Sequence, residues 1–159
     1  MSRSKSEQPL RIPAEAGHTN ARCACGGLRL TLREPPQLTA LCHCLACQRR
    51  TGSPFSANAF YAVDSVEVSG LSTEFVRTAE SGRKVRMYFC PACGSTLYWR
   101  AEASPEMIGV AVGAFADPGF VPPALSVFEK SKHEWVRLDG TVEHFDGLPG
   151  GHPSDKKKR

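Results

Sequence analysis

The residues best able to do chemistry lie in one short stretch, Cys42-His43-Cys44-Leu45-Ala46-Cys47. A C-x-C step followed by C-x-x-C lets three sulfurs converge on one point, as a metal ion requires and a packed core does not. Thiolates are soft ligands that suit zinc, and zinc takes four ligands in a tetrahedron. Three protein sulfurs leave one corner for something else. Water or substrate there would make the site catalytic in type, whereas a fourth protein ligand would close it as a structural site. Three thiolates also blunt Lewis acidity, so a soft sulfur guest is the natural occupant of that corner. Such a site could hold a substrate thiol as thiolate or polarise the oxygen of an aldehyde or thiohemiacetal.

The other four cysteines fall as Cys23-Ala24-Cys25-Gly26 and Cys90-Pro91-Ala92-Cys93-Gly94. Each short-spaced pair ends in glycine, as in the knuckles of a zinc ribbon, where the chain turns tightly so that backbone N–H groups can face the sulfurs. Spacing therefore divides the seven cysteines into four plus three, Cys23, Cys25, Cys90 and Cys93 against Cys42, Cys44 and Cys47. Spacing alone leaves other partitions open, because any four sulfurs can close a site if the fold brings them together.

The run Cys23-x-Cys25-Gly26, then Cys42-His43-Cys44-x-x-Cys47-Gln48-Arg49-Arg50-Thr51-Gly52-Ser53-Pro54-Phe55, then Phe89-Cys90-x-x-Cys93-Gly94-Ser95-x-Leu97 resembles the glutathione-dependent formaldehyde-activating enzyme family, which includes the centromere protein V type domains. The resemblance extends over residues 17–148. It implies a mostly β, Mss4-like fold with two zinc ions, the same four-plus-three split, and the three-cysteine zinc as the working site. It further implies a carbon–sulfur lyase in which glutathione or a similar thiol combines with, or is released from, a small aldehyde.

A chain of 159 residues with 41% hydrophobic and 23% charged residues is long enough for one domain with a real core and is not of disordered composition. No run approaches the roughly 20 apolar residues of a membrane helix, and the start, MSRSKSEQPLRIP, lacks the apolar stretch of a secretory signal. Those features predict a cytoplasmic protein whose clustered cysteines stay reduced and bind metal. The net charge of +4 invites a nucleic-acid reading. Its excess lies in the leader 1–16 and in the end, chiefly Lys156-Lys157-Lys158-Arg159, while the body between is neutral. A short terminal basic run is usually a solvated end, so nucleic acid is not the expected partner. The predicted organisation is a flexible leader 1–16, a zinc domain 17–148 and a basic tail 149–159; the oligomeric state is not legible.

The elements that must position the cysteines read as strands. Leu28, Leu30 and Leu32 alternate with Arg29, Thr31 and Arg33, which predicts a strand with one buried face. A short strand over Leu38–Leu41 delivers the chain to the cluster, and Gln48–Thr51 predicts one helical turn before Gly52-Ser53-Pro54. Two strands are expected between Phe55 and Val68, meeting near Asp64-Ser65. Thr73–Arg77 and Lys84–Phe89 form a hairpin around Glu80-Ser81-Gly82 that runs into Cys90. Thr96–Trp99 is a further strand, with Trp99 assigned to the core and the lining of a substrate cleft as its alternative. Met107–Phe115 reads as a buried strand whose Gly109 and Gly113 signal a bulge or a close backbone approach. Ala124–Glu129, Trp135–Leu138 and Thr141–Phe145 complete the β pattern.

Arg49 and Arg50, directly after the cluster, are the candidates for binding the carboxylates of a peptide-like thiol; a solvated turn is the plainer assignment for at least one of them. His43 lies between two ligands, and in an extended C-x-C step its side chain points away from theirs. It is therefore a pocket or supporting residue, or a solvated one, rather than a ligand. His18, His144 and His152 read as surface residues, and His133 as a surface turn, with a pocket role as its alternative. Two other functions remain in view: a zinc-stabilised binding module whose three-cysteine site is closed by His133 or an acidic residue, and a protein with two structural sites whose basic tails bind nucleic acid or a cytoskeletal surface.

Overall fold

The computed structural model describes residues 19–150; the expected leader, residues 151–159 of the basic tail, His18 and His152 lie outside the described residues. The architecture is mostly β, as expected for a Mss4-like fold. Three strands, β1 (Thr19–Arg22), β2 (Arg29–Leu32) and β5 (Val66–Ser69), form a small antiparallel sheet in the order β1-β2-β5. The main sheet has eight, in the order β11-β10-β3-β4-β9-β8-β7-β6. These are β3 (Leu38–Cys42), β4 (Ser56–Ala62), β6 (Thr73–Thr78), β7 (Lys84–Phe89), β8 (Thr96–Ala101), β9 (Ser104–Ala111), β10 (Leu125–Val127) and β11 (Glu143–His144). Pairing is antiparallel except around β10, which runs parallel to both β3 and β11.

Period-two alternation sorts the apolar residues onto faces. Leu30 and Leu32 of β2 point with Ala21 against Ala59 and Tyr61 of β4, Leu97 of β8, and Ile108 and Val110 of β9, forming the buried core between the sheets. Between β4 and β5 the chain changes sheet through a 3-10 turn, Val63–Ser65, at the junction foreseen near Asp64-Ser65. The β6–β7 hairpin forms as expected, with the two strands paired from Thr73 opposite Phe89 to Thr78 opposite Lys84.

Several expectations need correction. The segment after Cys44 is a seven-residue helix, α1 (Leu45–Thr51), longer than one turn. The apolar run to Phe115 leaves the sheet at Ala111 and ends as a 3-10 turn over Val112–Phe115. Trp135–Leu138 is not a strand: the Val136 N–H is bonded to the His133 carbonyl in a turn, Val136 is buried, and Trp135 is 68% exposed. Among the described residues no helix is long and apolar enough to cross a membrane.

Candidate functional site

The two glycine-ended pairs meet at one end of the core. Cys23 and Cys25 follow β1, and Cys90 and Cys93 follow β7. Gly26 and Gly94 adopt φ of 75° and 73°, the left-handed conformation that lets each knuckle fold back. The Gly26 N–H reaches the Cys23 carbonyl at 3.0 Å and the Gly94 N–H the Cys90 carbonyl at 2.8 Å. The turn aims the Leu28 N–H at the Cys23 sulfur, 3.2 Å away. Ser95 ties the knuckles together, accepting from the Ala24 N–H at 3.2 Å and lying 3.3 Å from the Cys93 sulfur. Its hydroxyl and backbone N–H hold the Cys93 thiol down to about 5.

The four sulfurs lie within 4.8 Å of one another and can hold a metal ion. A tetrahedral zinc about 2.3 Å from each sulfur needs sulfurs about 3.8 Å apart. Cys23 and Cys25 stand 3.5 Å apart, and Cys25 and Cys90 3.6 Å. The donor set is consistent with zinc.

The second cluster is built by a strand end and a helix start. Cys42 is the last residue of β3, held between Ser56 of β4 and Val127 of β10. Cys44 is the N-cap of α1, its sulfur accepting from the Cys47 N–H at 3.4 Å, and Cys47 lies within the first turn. Their sulfurs also lie within 4.8 Å of one another, and no fourth His, Cys, Asp or Glu among the described residues joins them. Hydrogen bonds from Cys42 and Cys47 hold Cys44 well below the ordinary thiol range, while Cys44 and Cys47 push Cys42 up.

His43 points away from the trio, fully buried, as the extended C-x-C step predicts. Its N–H donates to the Val127 carbonyl at 3.0 Å, and its own carbonyl accepts from Gln48 Nε2 at 2.8 Å and Ser131 Oγ at 2.9 Å. Its ring Nε2 lies 3.1 Å from Ser126 Oγ, which donates to Glu129 Oε1 at 2.5 Å. Ser126 must then accept from His43, which places the ring proton on Nε2. Burial lowers the His43 pKa, favouring the neutral ring. Glu129 is buried and also meets His144 Nδ1 at 2.7 Å and Lys132 Nζ at 3.3 Å. Burial opposes its ionisation, yet the Ser126 and His144 hydrogen bonds outweigh this and hold its carboxyl down to about 2. His144 is therefore not the simple surface residue expected. His133 is exposed and bonds to Gln48 Oε1 at 3.0 Å, so it steadies α1 and is not a ligand.

The trio opens on a cavity of about 880 Å³. Arg50 lines it, donating to Ser56 Oγ at 2.5 Å with its guanidinium 4.7 Å from the centre of the Trp99 ring. Ser56 passes the bond on to Asn58, which also lines the space. Arg49 lines it from an exposed position. Trp99 is a wall of this cavity, a correction to its assignment to the core. Gly109 is the reason: a Cβ there would lie 2.5 Å from Trp99 Cζ2, and closer still to Cε2 and Nε1, so the ring lies flat across β9 only because residue 109 has no side chain. The close backbone approach read from the sequence is this one.

A family model, that of the glutathione-dependent formaldehyde-activating enzyme, matches residues 18–131 and so takes in both clusters. The chain belongs to that family. No curated protein matches it. Among solved structures, the crystal structure of a Rhodobacter sphaeroides protein, a structural genomics target, is similar at 21% identity with a TM-score of 0.48, covering 65% of this chain and 91% of that one.

Within this family member, sequence reasoning missed Arg77. It lines the cavity from β6, its charge helps to lower Cys44, and its buried Nε lacks a hydrogen-bond partner in the structure. Its position within an alternating strand carried no signal, because the strand's partner face was unknown. Lys130 and Glu80, 3.8 Å apart, close the rim between the segment after β10 and the β6–β7 turn.

Proposed function

We propose that this protein is a zinc-dependent carbon–sulfur lyase that makes or breaks thiol–aldehyde adducts of the S-hydroxymethylglutathione kind. Cys42, Cys44 and Cys47 would hold the working zinc, and Cys23, Cys25, Cys90 and Cys93 a structural one. The observation that carries this reading is three convergent sulfurs without a fourth His, Cys, Asp or Glu ligand among the described residues, on the wall of a cavity large enough for a tripeptide thiol. Zinc at that position would supply a soft Lewis acid for a fourth ligand such as a thiol sulfur.

The chain's own residues bind and orient. Arg50 is held by Ser56 and the Trp99 face, and Arg77 lines the cavity from β6, so together they suit the carboxylates of a peptide-like thiol. Arg49 is the more solvated donor. His43 positions the ligand loop: with its N–H, carbonyl and ring Nε2 engaged, Cys42 and Cys44 stay fixed while the cavity is filled. In the cleaving direction the carbon–sulfur bond breaks with its electron pair going to sulfur, the hydroxyl oxygen forms the aldehyde C=O, and its proton is returned to the thiol. No oxidant enters. The all-thiol chemistry suits a reducing compartment, and the cytoplasm is the proposed location.

The test is zinc content and X-ray absorption on the purified protein, with exchange NMR of glutathione and formaldehyde. Two zincs are expected, one with four sulfurs and one with three plus a light atom that is replaced by sulfur when glutathione is added, together with adduct exchange faster than without protein. Two zincs whose shells ignore the thiol would make the domain a binding module instead.

A further inference from the structure

An antiparallel sheet with its core on one side normally presents polar side chains on the other. Here the second face of the main sheet is apolar as well. Phe60 faces the cavity although Ala59 and Tyr61, its neighbours on β4, face the core. The same face carries Leu38 of β3, Met87 of β7, Trp99 of β8 and Val127 of β10, and on β9 Gly109 lies opposite both Phe60 and Trp99, under the indole ring. The result is a largely apolar floor crossing six adjacent strands, with Asn58 of β4 as a polar residue in it. Met87 and Val127 are less than 10% exposed, yet both border the open cavity. Contiguous apolar surface of this kind on a soluble chain marks a binding site.

The charged groups gather at the margins of that floor, Arg77 of β6 opposite Val85 and Arg50 against the Trp99 ring. Arg50 and Arg77 lie on the cavity wall with the three cysteines, and the Lys130–Glu80 pair closes the rim. A thiol's sulfur and carboxylates would be satisfied among these groups, which leaves the apolar floor to the other half of the adduct. Formaldehyde would place one hydrogen-bearing carbon there, in a cavity whose 880 Å³ is toward the upper end of the roughly 300–1,000 Å³ of ligand sites. We infer that the preferred substrates are hemithioacetals of aldehydes bearing a large apolar group, aryl or medium-chain alkyl, and not the formaldehyde adduct. The turnover part of this inference rests on the lyase reading above. The reaction balances as before: RS–CH(OH)–R′ gives RSH and R′CHO, sulfur keeping the bonding pair and gaining the hydroxyl proton.

The experiment has two arms, both on the zinc-loaded full chain. In the first, exchange NMR compares glutathione with formaldehyde, benzaldehyde and hexanal. The expected kcat/KM for the two larger aldehydes is higher by about tenfold or more, the effect of burying several carbons. Equal or better turnover of formaldehyde overturns the inference. Val85→Trp, which fills the floor beside Met87, is expected to bring the ratio toward one; an unchanged ratio in this variant, folded by circular dichroism, overturns it too. The second arm does not depend on turnover: calorimetry compares S-hexylglutathione with S-methylglutathione. If no adduct is turned over at all, the lyase reading fails, and this arm decides the floor alone. Tighter binding of the hexyl thioether by about tenfold or more supports it, and equal affinity overturns it.

Discussion

Gly109→Ala is the most direct probe of how the cavity floor is made. The new methyl carbon would lie 2.5 Å or less from three atoms of the Trp99 indole, where ordinary contact begins near 3.4 Å. The ring cannot yield as a flexible side-chain end would. It must tilt or slide, and one side is occupied by the Arg50 guanidinium at 4.7 Å, with the Phe60 ring edge-on at 6.2 Å. Overpacking of this kind costs about 1–3 kcal/mol, with up to about 1 kcal/mol more if the cation–π contact is lost. The assay is urea unfolding with tryptophan emission in a Trp135→Phe background, since Trp135 is the only other tryptophan and is largely exposed. A destabilisation of about 2 kcal/mol and a shifted Trp99 emission are expected. Gly113→Ala serves as control, because nothing lies within 4 Å of a Cβ there; it is expected to be neutral or stabilising by up to about 1 kcal/mol. If the two alanines behave alike, the account of the floor is wrong.

Two further outcomes test the rest of the site. Cys90→Ser is expected to lose one zinc and the fold with it, since structural zinc contributes on the order of 10 kcal/mol, whereas Cys44→Ser is expected to lose the other zinc and remain folded. Metal analysis with circular dichroism checks this, and equal unfolding of both would sink the division of labour. Glu129→Gln should destabilise most near neutral pH. The carboxyl's depressed folded pKa means its stabilisation is complete above the unfolded value of 4.5 and disappears as pH falls through about 2. A shift of that size corresponds to on the order of 3 kcal/mol. Wild type and variant unfolded side by side from pH 7 to 2 should converge below 4.5; a constant gap would show that the ionised carboxylate is not what matters.

The cysteine clusters were legible because their information is local. C-x-C and C-x-x-C spacings with a following glycine specify knuckles almost independently of the remaining chain, and Cys42 at a strand end followed the Leu38–Leu41 pattern. Trp99 was misplaced because alternation identifies the two faces of a strand but not which one meets the core, and here both are apolar. His43 could be excluded as a ligand from backbone geometry, but its partners Ser126 and Ser131 lie more than eighty residues away and left no local trace. His144 was misread for the same reason, its partner Glu129 belonging to another segment. At Trp135–Leu138 a single buried valine beside a large aromatic imitated strand alternation, whereas the backbone was committed to a turn.

The spacing of the two clusters along the chain bears on how a newly made molecule acquires its metal. Cys42, Cys44 and Cys47 span six residues and can gather around an ion before any sheet exists. The other set must bring together Cys25 and Cys90, sixty-five residues apart. By chain entropy alone the longer closure costs about 2 kcal/mol more, and it requires β1 and β7 to be in place already. On the proposed assignment, the local trio is the first to capture zinc during synthesis, and the distant quartet fills only on chains whose two sheets have found each other. Occupancy of the quartet would then serve as a record of completed assembly.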